Sequence, residues 1–205
     1  MDFSYFIMGL TLGLAGFTPG PLSMLIIGQT LKHNFKEGVK VALAPLIADG
    51  PIIVIALTIS SLLIKSSFYP LVWFSGGLFL IYLGWDQFQI KKIEVNDTFT
   101  IAPRSLKKGI LTSILNPISY FFWFTVGAPT MLQGIKVNFF SGLLFIPGFY
   151  ITFLGIKLTK ALLAKKSKKI LQGKALIICV RFIGIILIGF SLKFFYEGFK
   201  TLGLM

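Results

Sequence analysis

Residues 16–25 read Gly-Phe-Thr-Pro-Gly-Pro-Leu-Ser-Met-Leu, inside an apolar stretch that runs over about 4–31. Proline removes a backbone donor, and its ring clashes with the preceding turn. Carbonyls freed in hydrocarbon cost several kcal/mol each when left unpaired. A helix interrupted at Thr18-Pro19-Gly20-Pro21 must therefore turn that break toward protein or water.

The surroundings make this a membrane problem. The 205 residues are 55% hydrophobic and 13% charged, with a mean hydropathy of +0.85. A soluble domain carries about 25% charged residues. The apolar segments reach about 20 residues and lack the alternation of barrel strands, so they are expected to be membrane helices. The N-terminal MDFSYFIMGL has no basic stretch ahead of its apolar run. A cleaved signal peptide would need one, so residues 4–31 are expected to be a retained first span.

Six spans are expected, at about 4–31, 39–64, 69–90, 106–132, 138–160 and 175–199, in a single membrane domain over 1–205. Lysine and arginine set their direction. Lys32, Lys36 and Lys40 follow the first span. Lys91, Lys92, Arg104, Lys107 and Lys108 follow the third. Lys157, Lys160, Lys165, Lys166, Lys168, Lys169 and Lys174 follow the fifth. Only Lys65, Lys136, Lys193 and Lys200 lie on the other side. The three basic loops are thus expected in the cytoplasm, with both termini outside. The net charge of +13 is accounted for by loops that fix orientation and meet anionic lipid, so no nucleic-acid partner is implied. The basic run around Lys165–Lys169 could also hold a protein partner. Cys179 is the single cysteine, which excludes an intrachain disulfide or dithiol pair. It is expected to pack as a small apolar residue. One histidine, His33 beside Lys32, offers no metal cluster, and no cofactor is implied.

The first and fourth spans share a pattern at an offset of 96. Gly13 aligns with Gly109, Pro21 with Pro117, and Ser23 with Ser119; Pro51 aligns with Pro147. The third span, GLFLIYLG, resembles the sixth, GIILIGFS, at an offset of 107. Halves of three spans each must have opposite orientations. The expected architecture is therefore an all-α integral membrane protein, six transmembrane helices in a 3+3 inverted-topology repeat with broken helices 1 and 4. The first repeat covers about 4–90, a cytoplasmic loop 91–105, and the second repeat about 106–200. In such folds, discontinuous helices in corresponding positions point to the substrate site.

Each break starts a half-helix whose first N–H groups are unpaired and carry the positive dipole end. Between two such starts a carboxylate could bind. The alternative is that both prolines only kink packed helices. Pro21, Asp49, Pro117 and Pro147 lie nine to eleven residues from the nearest basic joint, roughly 14–16 Å at 1.5 Å per residue. The middle of a hydrocarbon core about 30 Å thick is at about 15 Å. Asp49 is the acid set deepest in a span. It is expected to face a cavity or a partner, either in an ion pair with Arg181 or as a proton carrier, since burial penalises the charged form. Candidate transport residues are Pro19, Gly20, Pro21, Ser23, Asp49, Asn116, Pro117 and Ser119. Gly9, Gly13, Gly16 and Gly20 fall on one face of the first span, for packing within the protomer or for a homodimer seam. The aromatic run Tyr120–Phe124 is expected to meet lipid or pack more than line a cavity.

These residues together resemble the LysE-type translocators, the lysine-exporter family of amino-acid efflux proteins. The resemblance rests on Thr18-Pro19-Gly20-Pro21, the Gly38 region, APLIADGP around Asp49, GGLFLIYLGW at 76–85 and KKGILTSILNP at 107–117. It covers most of the chain in the expected order. It departs at Leu22, where similar members often have Asn, and at the extra prolines Pro45 and Pro51. The resemblance implies a six-span exporter rather than an enzyme, moving amino acids or related small metabolites across the cytoplasmic membrane on an ion gradient, most simply of protons. It implicates Pro19, Gly20, Pro21, Asp49, Asn116 and Pro117. Two other functions compete: a non-transporting membrane scaffold or assembly factor, and an exporter of another small solute or ion.

Overall fold

A computed structural model of the chain describes residues 2–18, 20–89, 104–166 and 174–203; Pro19, most of the joint after the third span and the basic stretch 167–173 lie outside them. Every described element is helical. Helix α1, Ser4–Leu12, runs into a 3-10 stretch, Gly13–Phe17. Then come α2 Pro21–Lys32, α3 Phe35–Leu63 and α4 Tyr69–Gln89. After the joint come α5 Ser105–Ile114, α6 Pro117–Phe122, a π-helical stretch Trp123–Gly127, and α7 Ala128–Val137. Helices α8 Phe139–Lys166 and α9 Lys174–Thr201 complete the chain. Asparagines mark several starts. The side-chain oxygens of Asn34, Asn116 and Asn138 accept from the backbone N–H groups of Glu37, Ile118 and Phe140, each satisfying a donor that the first turn leaves open.

Three helices are long and apolar enough to cross a membrane: α3, α8 and α9, the last over Ile177–Thr201. Two bent pairs pass the same test. Ser4–Phe17 and Pro21–Lys32 meet at 66°, and Ser105–Ile114 and Pro117–Val137 at 56°. Counting each pair as one span gives five. Helix α4, 21 residues long, is not among them; Asp86, Gln87 and Gln89 dilute its apolar character. Both bends fall where the prolines were read as interruptions. Pro45, Pro51 and Pro147 instead sit inside α3 and α8, which continue through them. Pro147 is exposed on the outer face of its helix.

The outer surface is apolar, as lipid-facing surface must be. Val54, Leu78, Phe182 and Leu192 are among many large side chains that project outward. Inside, α1 packs on α8, α5 packs on α3, and α4 pairs with α9 in the most extensive helix contact. Close approach depends on glycine. A Cβ on Gly9 would strike the Phe145 carbonyl, and one on Gly148 the Phe6 carbonyl. The glycine face of the first span is thus used within the protomer, at Gly9, Gly13 and Gly16 against α8. Gly84 and Gly184 meet in the same way, where a Cβ on either would lie 2.7 Å from the other's carbonyl oxygen. Cys179 was expected to pack, yet it is exposed, because it shares an outward face of α9 with Ile178.

Gly84→Ala is expected to lower the melting temperature of the detergent-solubilised protein by several degrees, since overpacking costs about 1–3 kcal/mol. Gly189→Ala on α9, where nothing lies within 4 Å of the added carbon, should leave it unchanged.

Candidate functional site

At the first break the chain leaves helical geometry at Thr18, with φ −49° and ψ 123°. It re-enters through an extended Gly20 ahead of Pro21. The carbonyls of Gly16, Phe17 and Thr18 lose their helical donors here. The Lys160 ammonium on α8 replaces them: its Nζ donates to Phe17 O at 2.9 Å, Gly16 O at 3.1 Å and Thr18 O at 3.4 Å. It also donates to Ser23 Oγ at 3.0 Å, and Ser23 in turn donates to Thr18 O at 3.2 Å. From α4, Gln87 Nε2 donates to Thr18 Oγ1 at 2.8 Å. Three helices thus hold one interrupted turn.

Lys157 lies one turn before Lys160 on α8. Its ammonium donates to Ser23 Oγ at 3.0 Å and stands 5.0 Å above the Phe153 ring. Lys157 is 5% and Lys160 7% exposed. Both were counted among the loop lysines that set orientation; the structure buries them instead. The helix they occupy runs on to Lys166, so the basic end of α8 begins at Lys165. A spacing of three on one helix face, set off from the later lysines by Ala161-Leu162-Leu163-Ala164, was the signal in the sequence.

The second break is built differently. Asn116 is extended, and its side chain caps α6 through Ile118 N–H. Helix α6 is one and a half turns long and passes into the π-helical stretch, where Gly127 leaves room for the Trp123 ring. Such stretches recur at functional sites. Phe122 and Trp123 turn inward, while Tyr120 and Phe121 face out. The aromatic run is therefore divided between the interior and the lipid face.

A cavity of about 80 Å³ lies where the two breaks meet. A buried water needs roughly 10–15 Å³ of such space, so several fit. Gly20, Pro21, Ser23, Asp49, Asn116 and Ser119 all line it. These are six of the candidates named from sequence, brought from three separate spans. Pro19 lies outside the described residues. Pro117 starts α6 but is exposed and is not part of the lining. Sequence reasoning missed Lys157, Ser113 and the wall formed by Phe122, Trp123, Phe149 and Phe153.

Asp49 is 4% exposed. Its Oδ2 accepts from the Tyr150 hydroxyl at 3.1 Å; its Oδ1 completes no hydrogen bond of good geometry, although the Trp123 indole N–H also lies close to the carboxyl. The expected pair with Arg181 does not form. Arg181 sits beside Phe182 on the exposed face of α9, which packs chiefly on α4 rather than on the Asp49 helix. Among the described residues, Asp49, Lys157 and Lys160 each lack an opposite charge within 4.0 Å. Ser113 Oγ is also buried and unpartnered. Two polar groups without protein partners thus belong to residues around one cavity, where an unpaired buried group is costly unless something binds it.

Comparison with known proteins gives one match. Residues 14–198 fit the family model described as LysE type translocator. No curated protein and no solved structure matches the chain.

Lys160→Met should strand the carbonyls of Gly16 and Phe17, leaving Thr18 O to Ser23 alone, and lower stability by about 2–4 kcal/mol, on the scale of hydrogen bonds made by a charged group. Thermal unfolding in detergent would record this. Lys157→Met, which loses one hydroxyl contact, should cost distinctly less.

Proposed function

The chain belongs to the LysE type translocator family, and on that premise we propose that it exports amino acids or related small metabolites, bound in the cavity between its two helix breaks. The observation that carries this is the buried Asp49 carboxyl, whose Oδ1 is unpartnered beside a cavity lined from both breaks. A scaffold has no use for a polar cavity of this kind.

The transport architecture follows from the same elements. With α4 as a sixth span, the chain forms two halves of three spans in opposite orientation. The exchange of partners supports this: α1 lies on α8 as α5 lies on α3, α2 lies on α3 as α7 lies on α8, and α4 lies on α9. Gly13 packs on α8, and its counterpart Gly109 packs on α3. Without Lys157 and Lys160 the lysine bias still favours cytoplasmic basic joints and external termini in the cytoplasmic membrane. In this arrangement a pocket reached alternately from each side needs only that one half rock against the other. The coupling ion is a proton, carried on Asp49. Proton and substrate ammonium then compete for one carboxylate, which links efflux of one to entry of the other.

The test is transport by the full-length protein in proteoliposomes, with a panel of labelled amino acids and an imposed pH gradient. At least one compound should move. Asp49→Asn should cut its rate by about 10–100-fold, the equivalent of one charge-assisted hydrogen bond. Full gradient-driven transport by that variant removes the proton role. Movement of none of the panel removes the exporter reading. Tags on both termini of the intact-cell protein should react with an impermeant reagent.

A further inference from the structure

The two buried lysines of α8 share Ser23 but differ in what else they meet. Lys160 directs its donors at the carbonyls of Gly16, Phe17 and Thr18, and it does not line the cavity. Lys157 does line it, and its one hydrogen bond goes to Ser23 Oγ. An ammonium has three donors, so Lys157 keeps two that no protein acceptor takes. In the lining of the same cavity, Asp49 Oδ1 completes no hydrogen bond, with only the Trp123 indole N–H as a further neighbour besides Tyr150. The two charges have not closed on each other, since no N–O distance between them is within 4.0 Å.

A cavity with an unspent cation at one place and an unspent carboxylate at another is complementary to a zwitterion. We propose that Lys157 binds the substrate's carboxylate while Asp49 binds its ammonium, and that the site thereby selects amino acids with an uncharged side chain. This rests on the exporter reading above and names its substrate class. The remainder of the lining decides the side chain. Ala15, Leu83, Phe122, Phe149 and Phe153 supply apolar wall and Thr18, Ser113, Asn116 and Ser119 uncharged polar groups, so the lining offers no charged group beyond Asp49 and Lys157 to meet a second charge. A basic amino acid would bring a second cation beside two buried ammoniums and find no second acid. An acidic one would bring a second carboxylate, for which Lys160 is already committed to the backbone. A carboxylic acid without an ammonium would leave Asp49 Oδ1 unmet, and an amine without a carboxylate would leave Lys157 unmet. Each omission leaves a desolvated charge unpaired, which is the strongest source of discrimination a site can have.

The assay is competition against labelled leucine efflux in proteoliposomes of the full-length protein. The unlabelled probes are leucine, lysine, glutamate, 4-methylpentanoate and isoamylamine. Wild type should take leucine about ten-fold or more in preference to each of the other four. Lys157→Met should abolish the preference for leucine over isoamylamine while keeping the preference over 4-methylpentanoate. Asp49→Asn should do the reverse in a binding measurement by thermal shift, so that a loss of transport does not hide it. Lys157→Arg should restore part of the carboxylate preference. Lysine or glutamate competing as well as leucine would overturn the assignment and leave the exporter reading intact. The same holds if Lys157→Met, folded as judged by its melting curve, leaves the leucine-to-isoamylamine ratio unmoved. Transport of no compound in any panel would overturn both.

Discussion

Three backbone carbonyls at residues 16–18 lose their helical donors inside the fold, and one ammonium reaches all three, with Ser23 also donating to the last. Lys160 reaches them from α8. Much of the remaining structure serves that contact. Helix α8 runs unbroken from Phe139 to Lys166, which holds the ammonium at the right height. Gly9, Gly13 and Gly16 let the first half-helix lie directly against it. Gln87 fixes Thr18 from the opposite side. A buried charge is ordinarily a liability. Here its desolvation is offset by carbonyl dipoles that would otherwise be unpaired, so two costs cancel in one geometry.

The two helix breaks are similar in backbone but not in the groups that hold them. Both interruptions begin a new helix with proline at its first position, and both contribute to one cavity. The first is braced by two lysines, whereas the second is capped by the Asn116 side chain and continues into a π-helical stretch. Asp49, on α3, lines the space between them with its hydroxyl partner Tyr150 on α8. A symmetric cavity would present the same chemistry to both ends of a ligand. This one presents a lysine near the first break and a carboxyl on α3, so its two polar poles are chemically different. The aromatic rings of Phe122, Trp123 and Phe149 pack on one another around it. Close packing of this kind makes a wall that resists deformation.

Sequence alone determined the membrane character, the helix limits to within about six residues and the two interruptions. Each of these depends on local properties. Hydropathy is summed along the chain, and proline acts on its own turn. The same local logic fails for partners. Asp49 was assigned Arg181, but which face of α9 turns inward depends on its packing against α4, and that face excludes Arg181. Lys157 and Lys160 were assigned to a loop because a lysine is usually solvated. Only tertiary structure brings residues 16–23 and 157–160 together, across more than a hundred intervening positions, and converts two ordinary surface charges into interior ones. What a polar group does inside a membrane is decided by the groups it meets, and the chain meets them only when folded.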